Sequence, residues 1–411
     1  AQTGTLINIP DAYADERFNR TFDVSSGYHT QTILCVPMRD ANGEVTGVIQ
    51  ALNKLSALNF NAEDEELLLA LGAQAAGAIE NALLHEEINR LFEGFVSASV
   101  VAIEARDPTT AGHSGRVADL TVTLAKALEH LATGPHAHVR FSPVELQELR
   151  YASLLHDFGK VGVREPVLVK AEKLYPHELE SLRARFQLAR KDLQLQSYKR
   201  RVQAVKVRGD KHLAEIEFEE EERLGIELKK LDEVFEFLLT CNRPTVLAQG
   251  GFERLHELGT LHFEDDKGQS QPLLLPREIQ SLSITRGTLS PEERREIESH
   301  VEHTYRFLSQ IPWTRTLRRV PEIAYAHHEK LDGTGYPRAE KSIPVQSRMM
   351  SICDIYDALT ASDRPYKKAV PHTLALDILK READSGQLDR DLFKVFVEAE
   401  IPRRALQPRP R

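Results

Sequence analysis

The stretch "AHHEKLDGTGYPRAEKS", residues 326–342, carries the strongest structural signal in this sequence. Two adjacent histidines, His327 and His328, precede a glycine-spaced turn that closes on Tyr336 and Pro337. Neutral imidazole is a common ligand of divalent transition metals, and glycines let a loop approach other backbone closely. The stretch therefore predicts a metal site whose remaining ligands come from other parts of the chain.

Ligand-type residues recur at the ends or on the buried faces of several predicted helices. Ser142 and Ser290 each precede a proline and a capping-box glutamate, which predicts two helix starts, and Thr109 or Thr110 could cap the helix of His113. A single buried histidine usually has a structural role. Seven converging ligands would instead fill two octahedral shells with positions left for water, as in a dinuclear hydrolase centre. The seven are His113, His156, Asp157, His300, His327, His328 and Asp354.

These segments resemble the HD-GYP branch of the HD phosphohydrolase superfamily. The resemblance rests on "HDFGK", residues 156–160, and on "HHEKLDGTGYP", residues 327–337, and it spans residues 100–400 apart from an insertion. It implies a mainly α fold, an all-helical HD-GYP bundle with two divalent first-row transition metal ions, iron or manganese. The implied ligands of one ion are His113, His156, Asp157 and Asp354, while Asp157 bridges to a second ion held by His300, His327 and His328.

The resemblance also implies an activity, that of a metal-dependent phosphodiesterase that hydrolyses cyclic di-GMP to pGpG and GMP. Asp157 and Lys160 would be catalytic, and Lys160, Tyr336, Asp357 and Arg364 would contact the substrate. Two alternatives stay open. One is hydrolysis of cyclic GMP-AMP or another nucleotide by the same centre, and the other is a non-catalytic signalling effector that binds a dinucleotide.

Two departures from the family pattern bear on the ligand set. Thr109 stands where family members with three metal ions have a glutamate, which favours a dinuclear site. The insertion separates Asp157 from His300 by 142 residues, so His303, one helical turn further on, is the fallback ligand.

The N-terminal part resembles a GAF domain. Residues 31–53 form two strand-like runs around Asn42-Gly43, a pair typical of a tight hairpin. The signature "NK…F…DE" follows, and in this family it braces the fold; it comprises Asn53, Lys54, Phe60, Asp64 and Glu65. The resemblance covers residues 1 to about 80 and only the C-terminal half of a domain. We therefore expect a partial α/β domain over residues 1–63, without the pocket-forming first strands, and infer no ligand for it.

Residues 64–103 are predicted to form a connecting signalling helix. Apolar residues recur at alternating spacings of four and three, as in a coiled-coil seam, which predicts a homodimer; they are Leu84, Ile88, Leu91, Phe95, Ala98 and Ala102. The alternative is a helix that packs on its own domain.

Residues 176–289 are predicted to be a charged helical insertion between the two parts of the HD-GYP domain, residues 104–175 and 290–400, with a tail over 401–411. Two apolar seams run along residues 179–193 and 224–238, and a basic stretch precedes an acidic one across Gly209-Asp210. Opposite charges favour an antiparallel hairpin over a nucleic-acid-binding surface. We expect it to project as an arm for a protein partner rather than to fold back over the metal cavity.

Composition limits the partners and the compartment. The chain has 411 residues and a net charge of -9, which argues against a nucleic-acid polymer or an anionic membrane as partner. Cys35, Cys241 and Cys353 are far apart, so neither disulfides nor a thiolate metal site is expected. No apolar run is expected to reach the roughly 18–20 residues needed to span a bilayer, and a cytoplasmic location is expected.

Overall fold

The computed structural model describes residues 3–55, 59–107, 111–244, 251–265, 267–361 and 369–405. The fold is mainly α, as predicted, with small sheets. The chain divides into two compact units, Ala1–Ser97 and Ala98–Arg411.

The N-terminal unit contains a three-stranded antiparallel sheet with strand order β1-β2-β3. The predicted hairpin is confirmed: β2 pairs with β3, and the turn between them is closed by a hydrogen bond from Gly43 N to Asp40 O of 3.0 Å. Ile9, Ala12 and Ile33 form a small buried cluster beside the sheet. The elements are β1 (Ile7–Ile9), α1 (Thr21–Ser26), β2 (Ile33–Arg39) and β3 (Val45–Leu52).

The GAF-type signature residues brace this unit. Asn53 Oδ1 accepts a hydrogen bond from Gln31 N at 2.5 Å, and its amide donates to His29 O at 2.8 Å. Lys54 forms an ion pair with Asp64. The motif thus ties the end of β3 to the segment that leads into β2 and to the helix that follows, which agrees with the bracing role that the resemblance implied.

Helix α2 (Ala62–Arg106) is the longest helix that the structure describes. All six residues of its predicted seam are exposed. An 18-residue window of α2 has a mean hydropathy of 1.5, so by length and composition the helix could cross a membrane, and 11% of that window is buried. The expectation that no segment has this composition is therefore wrong; only Glu80 is charged between Leu67 and Leu84.

The second unit builds its core from helices that pack in pairs, α3 on α4, α3 on α13, α4 on α12 and α11 on α12. Leu124, Leu149, Ile323 and Ile352 are fully buried between them. The helices of this core are α3 (His113–Leu128), α4 (Pro143–Leu155), α5 (Glu165–Leu168), α10 (Pro291–Glu298), α11 (His300–Leu308), α12 (Val320–Tyr325), α13 (Val345–Thr360), α14 (His372–Asp384), α15 (Arg390–Glu398) and α16 (Ile401–Ala405).

Two predicted helix starts are confirmed and one is corrected. Glu145 N and Glu293 N bond to the hydroxyls of Ser142 and Ser290, and both glutamate side chains bond back to the serine N–H groups. Helix α3 instead begins at His113 after Gly112, whose left-handed backbone turns the chain into the helix. Thr109 and Thr110, the predicted caps, lie outside the described residues.

The insertion contains the predicted antiparallel hairpin. Helices α6 (Pro176–Arg208) and α7 (Leu213–Asn242) pack together and are joined at the tip by a short 3-10 helix, Asp210–His212. Arg200 bonds to Glu220 at 2.8 Å and to Glu227 at 3.1 Å, and Arg208 bonds to Glu219 at 2.7 Å. The basic and acidic stretches therefore pair with each other across the hairpin.

The base of the insertion is a small folded layer that the sequence pattern did not predict. Leu182 and Phe186 of α6 pack with Leu238 of α7 and with Leu255 and Phe263 from the segments that follow. These segments are α8 (Gly251–Leu258), β4 (His262–Glu264), β5 (Ser270–Pro272) and α9 (Pro276–Leu282), with β4 antiparallel to β5. The insertion thus has a core of its own beneath the hairpin.

Candidate metal centre

The structure brings the predicted ligands together at helix ends. His156 follows the last turn of α4, His300 begins α11, and His327 and His328 follow α12. His113 begins α3 and Asp354 lies within α13. Every one of these histidines except His328 is buried, and His328 is half-buried.

Three histidines are oriented by the same kind of local hydrogen bond, from the ring to a backbone carbonyl. Nδ1 lies 2.7 Å from Ser153 O in His156, 2.6 Å from Ile297 O in His300 and 2.5 Å from Ala324 O in His327, and each carbonyl is three residues back. Carbonyls in the last turn of a helix lack intrahelical partners and can only accept, so each Nδ1 carries the proton. The lone pair of each Nε2 is then free for another ligand.

The free nitrogens show that the site fits a metal. Nε2 of His156, His300 and His327 is buried, and among the described residues it has no hydrogen-bond partner. Such orphaned buried atoms are costly unless something binds them. Three groups have ligand atoms within 4.8 Å of one another: His113, His156 and Asp354; His300, His327 and His328; and His156, Asp157 and His327.

The first two groups correspond to the two ion sites that the resemblance implied, and Asp157 lies between them. Asp157 Oδ2 is 3.7 Å from Nε2 of His113 and 3.5 Å from Nε2 of His156, whereas Oδ1 is 3.3 Å from Nε2 of His300. Metal bonds of about 2.1 Å separate neighbouring ligand atoms by roughly 3.0–3.5 Å. The two carboxylate oxygens therefore face opposite halves of the cluster, the arrangement that a bridging ligand needs.

His300 lies in the cluster of potential ligands despite the predicted insertion. The ring of His303, the fallback ligand, lies against Gly162, where an added Cβ would be 3.0 Å from the imidazole. The register past the insertion therefore places His300, not His303, in the cluster.

Gly159 of the "HDFGK" stretch explains how α11 reaches the cluster. A Cβ at this position would lie 1.9 Å from His300 O, so only glycine allows the two segments to touch. Thr304 then locks the contact, because its hydroxyl donates to His156 O at 2.9 Å and accepts from Gly159 N at 2.8 Å. Sequence reasoning missed Thr304, whose only signal is its position one turn after His300.

Gly335 likewise allows a close backbone contact, here between the loop after the paired histidines and His328. A Cβ there would lie 2.5 Å from His328 O, and Tyr336 N donates to this carbonyl at 3.2 Å. The loop thereby folds back on His328, and the Tyr336 ring lies 4.8 Å from the His328 ring, centre to centre.

Asp357 is placed differently from its predicted role. Its Oδ2 is 2.7 Å from Nδ1 of His113, and its oxygens accept bonds from Arg116 at 2.7 and 3.0 Å. Because both oxygens are engaged behind His113, the geometry does not support the predicted substrate contact. Asp357 instead orients His113, and Arg116, which sequence reasoning missed, holds Asp357.

Two residues, Lys160 and Arg364, were predicted to contact a substrate phosphate, and the structure describes only Lys160. Lys160 Nζ lies 2.8 Å from Asp157 Oδ2 and 3.6 Å from Asp107 Oδ2, so the ammonium is at the edge of the cluster. Burial lowers the pKa of Lys160, but Asp157 and Asp107 outweigh burial and raise it. Lys160 is therefore a cation at neutral pH. Arg364 lies outside the described residues.

The cluster holds its groups in the forms that bind metal. Burial raises the pKa of Asp157, but Lys160 and the neighbouring histidines lower it well below its usual range, and hydrogen bonds from His113 do the same for Asp354. Burial lowers the pKa of His327 well below its usual range and that of His328 to about 3. The carboxylates are therefore charged and these imidazoles neutral at pH 7, as metal binding requires.

His113 is the exception. Burial lowers the pKa of His113, but hydrogen bonds to Asp354 and Asp357 outweigh it and raise the pKa to about 9. In the metal-free protein this ring carries a proton, which partly balances the negative charge of the cluster, and a metal ion would displace that proton.

A large cavity opens at the His327–His328 side of the cluster. Its volume is about 1040 Å³, and His327, His328 and Tyr336 form part of its wall. The cavity is also lined by residues from the segment 280–289, the last part of the predicted insertion. The expectation that the insertion only projects as an arm therefore needs correction: the hairpin does pack as an arm, but the end of the insertion folds back to the cavity.

Family comparisons agree with the site. Two HD domain models match residues 110–233 and 272–392, and a GAF domain model matches residues 1–79. These ranges include every predicted ligand.

Three relatives are similar over part of the chain. The 3'3'-cGAMP-specific phosphodiesterase 3 of Vibrio cholerae serotype O1 is 37% identical over 115 residues, 28% of this chain and 24% of the relative. The Dual 3',5'-cyclic-AMP and -GMP phosphodiesterase 11 of Drosophila melanogaster is 40% identical over 87 residues, 21% of this chain and 6% of the relative. The Dual 3',5'-cyclic-AMP and -GMP phosphodiesterase 11A of Takifugu rubripes is 44% identical over 85 residues, which are 20% of this chain and 9% of the relative.

The aligned segments thus span at most 24% of the length of these relatives. The chain carries HD domains together with a GAF domain, and it is homologous to phosphodiesterases of the HD type, consistent with the HD-GYP-like protein that its sequence resembles.

Proposed function

We propose that this protein is a metal-dependent phosphodiesterase that hydrolyses cyclic di-GMP to pGpG and GMP at a dinuclear His/Asp centre. The observation that carries the proposal is Asp157, whose two oxygens face two separate histidine groups at 3.3–3.7 Å. A carboxylate in this position serves two cations at once. A centre built for one ion would not need the second group of histidines.

The two ions, iron or manganese, are assigned to the residues as follows. One is held by His113, His156, Asp157 and Asp354, and the other by Asp157, His300, His327 and His328. The mixture of imidazole and carboxylate suits these metals, which occupy octahedral sites. When bound, they would supply Lewis-acid polarisation of phosphoryl oxygens and activate water at neutral pH.

The residues of the chain position the substrate and balance its charge. Lys160 places a cation beside Asp157, where charge on a phosphodiester would develop. The half-buried Tyr336 ring forms part of the cavity wall next to His328 and offers an aromatic face to a base. Arg364 is proposed as a further phosphate contact. The cavity volume of about 1040 Å³ is large for the about 300–1,000 Å³ of most ligand pockets, which favours a dinucleotide over a mononucleotide.

Cyclic GMP-AMP is the second candidate substrate. The observation that favours it is the similarity to a relative whose name specifies 3'3'-cGAMP, at 37% identity over 115 residues. A non-catalytic effector is less well supported, because the cluster has no missing ligand.

Product analysis tests the proposal. Protein loaded with Fe(II) or Mn(II) should contain about two metal ions per chain by elemental analysis and should convert cyclic di-GMP to pGpG and GMP on chromatography. Faster turnover of cyclic GMP-AMP than of cyclic di-GMP would identify cyclic GMP-AMP as the substrate and would leave the proposed dinuclear centre unchanged. A fully loaded protein that cleaves neither compound would refute the enzymatic function.

We also propose that α2 pairs with a second copy of the chain. Its predicted seam is exposed along its whole length, whereas Val96 and Ile103 on another face are buried. A coiled-coil partner would cover the seam. Light scattering should give a dimer, and an aspartate at both Ile88 and Leu91 should shift it to a monomer. The α6–α7 hairpin stays a proposed surface for a protein partner.

A further inference from the structure

The end of the insertion faces the proposed active site. After α9 the chain runs along the cavity before it enters α10, and we name residues 280–289 the insertion wall. The same cavity is also lined by His328 and Tyr336. A ligand that reaches the histidines through this cavity therefore also meets residues 280–289, at the end of the predicted insertion.

The insertion wall and the adjacent helix present two cationic side chains. Arg286 and Arg294 both line the cavity and both are exposed. Among the described residues neither guanidinium forms an ion pair, whereas most arginines of the nearby hairpin do, such as Arg200 and Arg208. Two acidic residues, Glu298 and Glu329, also line the cavity, and the buried Glu329 carboxylate accepts hydrogen bonds from Arg338 N and Glu340 N. Two guanidiniums without a carboxylate partner in a concave surface are suited to a phosphate.

Apolar side chains complete this surface. Ile284 and Leu289 of the insertion wall line the cavity, and Ile355 of α13 lines it as well. A polar anion alone would not need such a lining. A nucleotide does, because it combines a charged phosphate with a flat base that packs on apolar or aromatic side chains.

Both ends of the insertion wall are anchored to the first part of the HD core. The buried Lys173 donates from Nζ to Leu282 O at 3.1 Å, and Thr288 Oγ1 donates to Lys170 O at 2.9 Å. Arg294 Nη2 also lies 3.4 Å from Arg286 O, which keeps the two arginines adjacent. The surface is therefore held in place before a ligand arrives, and such preorganisation lowers the entropic cost of binding.

We propose that the insertion wall is the substrate-recognition surface of the metal cavity. Arg286 and Arg294 bind the phosphate of a dinucleotide that is not at the metal cluster, while Ile284 and Leu289 pack against one of its bases. This inference rests on the proposed function, since it specifies how the same cavity selects its substrate. The insertion then determines substrate choice, and not only contacts with a partner.

The test compares two pairs of arginine substitutions. R286A/R294A removes both cationic groups from the cavity, and R277A/R295A removes the same charge from the neighbouring helices α9 and α10 outside it. Each protein is loaded with Mn(II) and checked for metal content and melting temperature. Steady-state kinetics are measured with cyclic di-GMP and with bis(p-nitrophenyl) phosphate, a small phosphodiester that has no second phosphate.

The readout is the ratio of kcat/KM for cyclic di-GMP to kcat/KM for bis(p-nitrophenyl) phosphate. We expect R286A/R294A to lower the ratio at least tenfold, mainly through KM, and R277A/R295A to leave it within twofold of the wild type. A ratio that changes less than twofold in R286A/R294A, with cyclic di-GMP still cleaved, overturns this inference alone. A wild-type protein that cleaves bis(p-nitrophenyl) phosphate but neither binds nor cleaves a cyclic dinucleotide overturns the proposed function as well.

Discussion

The metal cluster and the α6–α7 hairpin use the same residue types with opposite consequences. In the cluster Asp157 and His156 are buried; the Asp157 carboxylate lies 2.8 Å from Lys160 Nζ, and Nε2 of His156 has no hydrogen-bond partner among the described residues. In the hairpin Arg208 and Glu219 pair at 2.7 Å, yet their side chains are 34% and 55% exposed. Water competes for the exposed hairpin pairs much more than for the buried groups of the cluster, so the loss of a single group should matter far more in the cluster than in the hairpin.

The difference concerns charge balance as well. The hairpin balances its charges internally, because basic residues of α6 meet acidic residues of α7. The cluster has buried imidazole nitrogens that lack a hydrogen-bond partner among the described residues, beside clustered carboxylates, and a bound cation would satisfy both. The two regions thus differ in whether their polar groups have partners within the protein. The hairpin charges pair with each other, whereas the cluster holds buried ligand atoms that a metal ion could bind.

The largest expected effect is that of Asp157→Ala. Because this carboxylate faces both histidine groups, its loss should lower turnover by about a thousandfold or more and reduce the bound metal. Elemental analysis and steady-state turnover measure both effects. Asp119→Ala, which removes from α3 a partly exposed carboxylate that pairs with Arg150, is the control. Near-normal turnover of Asp157→Ala would eliminate the dinuclear arrangement.

Asp357→Asn should have the next largest effect. The substitution weakens the bond that orients His113, and loss of such an outer partner typically lowers metal affinity or activity by about 10–100-fold. Competition with a chelator measures the affinity, and Asp384→Asn on the surface of α14 is the control. Unchanged metal affinity with a raised KM would instead support the substrate contact predicted from the sequence.

The unfolding free energy of the metal-free protein should depend on pH in two separable ways. The pKa of His328 falls from 6.5 to about 3 on folding, so its contribution is present above pH 6.5 and is lost as the pH falls toward 3. The pKa of His113 rises from 6.5 to about 9, so its contribution is present below pH 6.5 and is lost as the pH rises through 9. Each proton changes stability by up to about 1.4 kcal/mol per pH unit.

Urea unfolding between pH 4 and 9, in the presence of a chelator, measures the unfolding free energy as a function of pH. Its decrease toward low pH is the acid limb of this profile, and its decrease toward high pH is the alkaline limb. We expect His328→Gln to flatten the acid limb and His113→Gln to flatten the alkaline limb, so that each variant is the control of the other. Identical pH profiles for both variants would show that neither ring determines its limb.

The smallest effect should come from Arg200→Ala in the hairpin. Its two ion pairs are partly exposed, so their loss should lower the unfolding free energy by at most about 1 kcal/mol and less at high salt. Turnover should stay unchanged. Urea unfolding at low and high salt is the measurement, and Lys229→Ala is the charge-matched control on α7. A large loss of stability or of metal would show that the hairpin and the cluster are energetically coupled.

Local rules made several features predictable from the sequence. The capping boxes at Ser142 and Ser290 depend on residues three positions apart, and the N-terminal hairpin depends on the turn around Gly43. The ligands were identified from the resemblance, and the structure brings them into one cluster. The role of Asp357 could not be predicted in this way, since its partner His113 is 244 residues away.

The sequence by itself determined which side chains are available as ligands, where helices α4 and α10 begin, and that residues 176–242 form an antiparallel hairpin. These features depend on spacing within a few helical turns, where backbone geometry is regular. Only the tertiary structure decided that Thr304 locks α11 onto the HD turn, that Arg116 and Asp357 orient His113, and that residues 280–289 line the cavity. The physical reason is that these contacts arise from the packing of helices far apart in the chain, and local periodicity does not specify which faces meet.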